Sequence, residues 1–165
     1  MSPRGLAPWR TSRMERPMRT FDIQSLAIDS PAGKVFDYVA DPAHLPEWTG
    51  AFKAIEGRRA VLSTPDGTIL IDFDVRASHA HGTIDWEMTF PDGSVAKAYS
   101  RVVETVDGRA IYSFVLLPPP VPLEKIEGAL EQQSRILGEE LGRLKRILES
   151  EGARSTAVRP VAENG

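Results

Sequence analysis

The sequence predicts an α+β domain: a curved antiparallel sheet of about seven strands wrapped around a long C-terminal helix, with two short helices after the first strand. Three observations carry that prediction. Between Leu123 and Glu151, apolar residues recur at helical spacing, with Ile126, Leu130, Leu137, Leu141, Leu144 and Leu148 on one stripe and mostly charged residues around the rest. From Phe52 to about residue 117 the apolar period changes to two. The runs of period two are separated by compact turn signals at Thr64-Pro-Asp-Gly67, His81-Gly82, Pro91-Asp-Gly93 and Asp107-Gly108. Such short connections cannot hold crossover helices, so sequence neighbours pair antiparallel.

In chain order, the first strand is read at Thr20–Asp29 from its residue types. Ser30-Pro31 then starts a short helix, with Ser30 as the side-chain cap and Pro31 at the first position. Ala32, Val35, Phe36 and Val39 form its buried side, and Asp41-Pro42 ends it, because the residue before proline is steered out of the helical region. The following AHLPEWTGAF segment reads as a second brief helix, interrupted by Pro46 and released at Gly50. Strands follow near residues 52–57, 59–64, 67–78, 82–90, 94–106 and 109–117. Ile69, Ile71, Phe73 and Val75 alternate with Asp72, Asp74 and Arg76, and Ile84, Trp86, Met88 and Phe90 alternate with Asp85, Glu87 and Thr89. Each of these strands therefore has one dry face and one wet face.

The strand at 94–106 admits two phases. With Ala96, Ala98, Ser100 and Val102 inward, small side chains leave a hollow under the helix. With Val95, Lys97, Tyr99, Arg101 and Val103 inward, Tyr99 and Arg101 become buried polar groups that need partners. Pro118-Pro119-Pro120 and Pro122 then form a stiff connector into the long helix. Glu124 and Glu127 early in that helix and Lys145 and Arg146 late in it complement the helix dipole, and Gly152 is the expected stop. Gly138 and Gly142 interrupt the helix interior, each at about 1 kcal/mol relative to Ala. They mark either close packing of the helix against the sheet or a bare flank that makes room for a bound molecule.

Composition narrows the function classes. A chain of 165 residues is read as one domain, residues 20–151, between a disordered basic leader (1–19) and a disordered tail (152–165). Arg4, Arg10, Arg13, Arg16 and Arg19 are opposed in the leader only by Glu15. The net charge of −3 gives no sign of nucleic-acid binding. The absence of cysteine removes disulfides, thiolate catalysis and zinc–thiolate sites. No apolar run is long enough to span a bilayer, so a cytoplasmic protein, not an integral membrane protein, is the expectation. A homodimer through edge strands stays open.

The stretch SLAIDSPAGKVFDYVADPAHLPEWTG, residues 25–50, resembles the first strand, Ser-Pro helix start and Asp-Pro…Pro-x-Trp segment of the SRPBCC (START-like) superfamily. The likeness is to its bacterial polyketide cyclase/dehydrase and lipid-transport-like branch, and extends over residues 20–151. The resemblance implies a helix-grip fold with a cavity between sheet and C-terminal helix. It also implies binding or carriage of a small hydrophobic molecule that is polyketide-, quinone- or lipid-like. Expected lining residues are Phe73, Trp86, Met88, Phe90, Phe114, Leu137, Gly138 and Leu141, with Tyr38 and Trp48 at the mouth. Two alternatives accompany this reading. One is a polyketide cyclase/dehydratase-type enzyme in the same cavity, with Arg101, Tyr99, Tyr112 or His44 as its candidate groups. The other is a protein-interaction module of the chaperone-activator kind, which needs an apolar patch outside the sheet. His79 and His81 could supply two metal ligands but have no third nearby in sequence, so no metal and no cofactor is expected.

Overall fold

The computed structural model describes residues 19–64, 66–118 and 123–156, with the side chains of the last segment described over 129–152. Seven strands, β1 (Asp22–Pro31), β2 (Phe52–Glu56), β3 (Arg59–Thr64), β4 (Gly67–Ser78), β5 (Thr83–Thr89), β6 (Val95–Glu104) and β7 (Arg109–Leu116), form one sheet in the order β1-β7-β6-β5-β4-β3-β2. Every pairing is antiparallel. Helices α1 (Ala32–Ala40) and α2 (Leu45–Trp48) follow β1, and α3 (Leu123–Thr156) lies on the sheet's inner face. This is the helix-grip arrangement the sequence predicts.

Strand pairing settles the phase of β6. Residues directly opposite each other on neighbouring strands point to the same face. Ala98 lies opposite Trp86 and Ser100 opposite Ile84, both buried on β5, so the small residues face inward. The Ser100 hydroxyl is satisfied there by donating to the Ile84 carbonyl at 2.8 Å. Tyr99 and Arg101 consequently stand on the outer face, so of the two phases the one that would bury them is not adopted. On that outer face Ile23, Val115 and Tyr99 form one cross-strand row and Ala27, Ile111 and Val103 another. Ile23, Tyr99, Val103 and Ile111 in these rows are exposed.

Along α3, Leu130, Leu137, Leu141, Leu144 and Leu148 are all buried, as their spacing requires. Ile126 and most of the proline connector lie outside the described side chains. The helix does not stop at Gly152 but continues to Thr156. Gly138 is solvent-facing, and a Cβ there would meet the Gln24 side-chain oxygen at 3.2 Å, so its bareness accommodates β1 and not a ligand.

The β1 edge is covered by α3. The Lys145 ammonium donates to the Ala27 carbonyl at 2.5 Å, and Glu149 accepts from the Asp29 N–H at 2.8 Å, filling hydrogen-bonding groups that an edge strand leaves open. Further along, Gln24 donates to the Ser134 carbonyl at 2.6 Å and to Asp22 at 2.9 Å, while the Ser134 hydroxyl also donates to Asp22. Burial alone would raise the Asp22 carboxyl, but Ser134, Gln24 and the Arg19 guanidinium at 2.7 Å hold it below its ordinary value. A lowered folded pKa means this stabilisation is present above the ordinary carboxylate value and lost as pH falls through the folded one. Asp22→Ala is therefore expected to cost about 1 kcal/mol at neutral pH, with the difference vanishing in acid, as read by urea denaturation.

Two local expectations change. Ser30 makes no capping bond: β1 runs on through Pro31, which is the residue preceding α1, and the free Ala32 N–H donates instead to the Gly108 carbonyl at 3.4 Å. Pro46 does not interrupt a helix but sits in the first turn of α2, which Thr49 ends. Asp41 ends α1 as predicted, and its carboxylate accepts from the Ala43 N–H at 2.9 Å.

Candidate functional site

A cavity of about 100 Å³ opens between the sheet, α2 and α3. The sheet contributes Phe73 from β4, Trp86 and Met88 from β5, Ala98 from β6 and Phe114 from β7. All five are on inward-pointing positions of their strands, and Ala98, paired with Trp86, is the small residue that leaves the hollow. The α2 end supplies Leu45, Trp48 and Thr49, the start of β2 supplies Ala51 and Phe52, and α3 supplies Leu137 and Glu140. Aromatic contacts stiffen the walls: Phe52 meets Phe73 edge-on at 5.2 Å, and Trp86 stacks on Phe114 at 5.5 Å.

Polar groups in this lining are few. Glu140 Oε1 accepts from the Gly50 N–H at 2.6 Å, tying α3 to the segment after α2. Burial pushes the Glu140 carboxyl above its ordinary value, opposed by the Gly50 N–H and the Arg143 guanidinium. Arg143 itself donates to the Trp48 carbonyl at 3.4 Å, and the Thr49 hydroxyl to the Leu45 carbonyl at 2.8 Å. The indole N–H groups of Trp48 and Trp86 are buried and have no hydrogen-bond partner among the described residues. Unpaired buried donors are uncommon in folded proteins and call for a physical reason.

Trp48, Phe73, Trp86, Met88, Phe114 and Leu137 are brought together as cavity wall. Phe90, Leu141, Gly138 and Tyr38 are not. Phe90 lies beyond the end of β5 beside Pro91, and Leu141 is one residue further round α3, packed in the solid core. Tyr38 is buried with its hydroxyl donating to Glu47 at 2.5 Å, and burial together with Glu47 pushes its phenol up. His44 stacks on Tyr38 at 4.1 Å with Nδ1 2.9 Å from the Tyr38 carbonyl oxygen, away from the cavity. Tyr112 faces inward, but its hydroxyl is fully buried in the core beside Ser100 and outside the cavity lining, and burial pushes the phenol up. His79 lies 3.9 Å from Asp37 and His81 2.9 Å from Ser78, both on the surface.

Leu45, Thr49, Ala51, Phe52, Ala98 and Glu140 are lining residues that the sequence reading did not single out. Two had a signal. Ala98 belongs to the small-residue set that would leave a hollow, and Glu140, three residues after Leu137, falls on the flank of the apolar stripe. The others depend on how the segment after α2 folds back.

No protein-family model matches the chain, and no curated protein matches it. Solved structures do. They include a START superfamily protein of Mycobacterium smegmatis, at 13% identity and TM-score 0.54, covering 77% of this chain and 98% of that one. A protein of Deinococcus radiodurans matches at 17% identity and TM-score 0.60, covering 80% of this chain and 99% of the other. The di-domain ARO/CYC StfQ from the steffimycin biosynthetic pathway matches at 14% identity and TM-score 0.60, over 81% of this chain and 46% of its own length. Likeness at these identities is likeness of fold, and the chain shares the helix-grip fold of these structures. No helix among the described residues is long and apolar enough to cross a membrane.

Proposed function

We propose that this protein binds or carries a small hydrophobic molecule, polyketide- or quinone-like in preference to a bulky lipid, in the cavity between sheet and α3. The observation that carries the reading is a cavity walled by the aromatic rings of Trp48, Phe52, Phe73, Trp86 and Phe114 between the sheet, α2 and α3. At about 100 Å³ the cavity is smaller than typical ligand sites and nearer the size that accepts a single aromatic ring. A flat ring seated there, with the rest of the molecule emerging past α2, suits the stacked walls. The ARO/CYC likeness supports the same choice.

The test is a titration of the full chain carrying Trp9→Phe, so that Trp48 and Trp86 alone report, with flat aromatic polyketides, quinones, sterols and fatty acids. Saturable quenching with a rise in melting temperature is expected for the flat aromatic classes. Ala98→Leu, which fills the hollow, is expected to remove the ligand-induced rise while leaving a folded protein, at a cost of about 1–3 kcal/mol from overpacking. No response across the panel would overturn the proposal. Turnover of the bound class would move it to the enzymatic alternative, in which Glu140 is the titratable side chain at the cavity. Without binding, the exposed apolar rows on β1, β7 and β6 would make a protein partner the next reading, tested by pull-down.

A further inference from the structure

We infer that Glu140 sets the polarity of the ligand: the molecule presents a hydrogen-bond donor, as a hydroxyl, phenol or amine, at the α3 side of the cavity, and molecules with a carboxylate there are rejected. This rests on the ligand-binding reading above and adds to it a chemical class.

Glu140 is the one charged residue in the lining among the described residues. One carboxylate oxygen is engaged by the Gly50 N–H at 2.6 Å, and no other hydrogen bond reaches the carboxylate from the described residues. A carboxylate has about four lone-pair sites and accepts only, so capacity for a donor is left over. The Gly50 bond also anchors the side chain, so it cannot swing freely into solvent when a ligand arrives.

The surroundings make the sign of the selection firm. An anion in this cavity would meet Glu140 with no positive charge in the lining to offset it. Arg143, the nearest cation, is exposed, outside the lining, and directed to the Trp48 carbonyl. The buried indole N–H groups do not reverse this. Both are fully buried, and a full negative charge against this apolar wall would be desolvated without a counter-ion. A donor at the α3 side of an otherwise apolar wall is the pattern of a phenol or hydroxyquinone, and not of a fatty acid.

The test uses one apolar body with four heads, so that size and shape cancel. 4-Propylphenol, 4-propylbenzylamine, propylbenzene and 4-propylbenzoate are titrated into the full-length protein by calorimetry at neutral pH. The phenol and the amine are expected to bind about tenfold more tightly than propylbenzene, the size of one hydrogen bond to a charged group, and the benzoate more weakly than propylbenzene. In Glu140→Gln the amide oxygen can still accept from Gly50, which keeps the fold. There the amine is expected to lose its advantage and the benzoate to gain about tenfold. A circular-dichroism melt of the variant checks that it folds. Equal or tighter binding of the benzoate by the unaltered protein overturns the inference while leaving ligand binding intact. Binding differences that Glu140→Gln does not move also overturn it. If none of the four binds, the cavity reading falls and the inference falls with it.

Discussion

Leu144→Ala is expected to destabilise the protein by about 2–5 kcal/mol, lowering the melting temperature by about 10 °C. Leu144 is fully buried, between Leu141 and Leu148 on the stripe by which α3 meets the sheet. Truncation removes the side chain's transfer free energy and leaves a void in a solid part of the core, since the cavity meets α3 earlier, at Leu137 and Glu140. A sheet packed mainly on one helix has little else to collapse into the gap. Ile136→Ala on the opposite flank, 44% exposed, should change stability by no more than about 0.5 kcal/mol. Urea denaturation of both reads the contrast. Equal effects would mean that α3 does not present the Leu144 face to the sheet.

Gly82→Ala is expected to cost about 3 kcal/mol or more, an unusual amount for a turn residue. Gly82 closes the turn before β5 with φ +67°, a left-handed conformation that charges any L side chain about 1–2 kcal/mol. The larger part is steric: an added Cβ would lie 2.2 Å from the Val102 carbonyl oxygen. That oxygen is backbone and cannot move alone, because the Val102 N–H donates to the Gly82 carbonyl at 2.8 Å and locks the two segments together. Gly93 separates the two contributions. It has φ +82° and nothing within 4 Å of an added Cβ, so Gly93→Ala should show the conformational cost alone. Denaturant midpoints for the two variants measure the difference. If Gly82→Ala were no worse than Gly93→Ala, the close approach of the His81-Gly82 turn to β6 would be wrong.

Both results bear on the candidate site, because the cavity depends on the same register. The β6 backbone that contacts Gly82 is continuous with Ala98, whose small side chain opposite Trp86 creates the hollow. A slip of one residue on β6 would turn Tyr99 inward and fill it.

What the sequence by itself determined was the kind and order of the elements and, for most of them, their faces. Apolar residues at period two on β4 and β5 and at helical spacing on α3 place each side chain in or out by local geometry, and Gly-containing turns pair neighbours. These are short-range properties, so one chain displays them. The tertiary structure decided what no local period encodes. The mixed pattern of β6 has no preferred face until β5 lies beside it and Ala98 must follow Trp86 inward. Gly138 reads equally as close packing or as room for a ligand until Gln24, from the other end of the chain, is seen against it. Glu140 reads as one more surface carboxylate until the segment after α2 folds back, donates its Gly50 N–H and closes Leu45, Trp48 and Phe52 over the cavity. The physical reason is the same in each case: a side chain's partner, and the solvent it loses, are set by groups brought together from distant positions only when the sheet closes on α3.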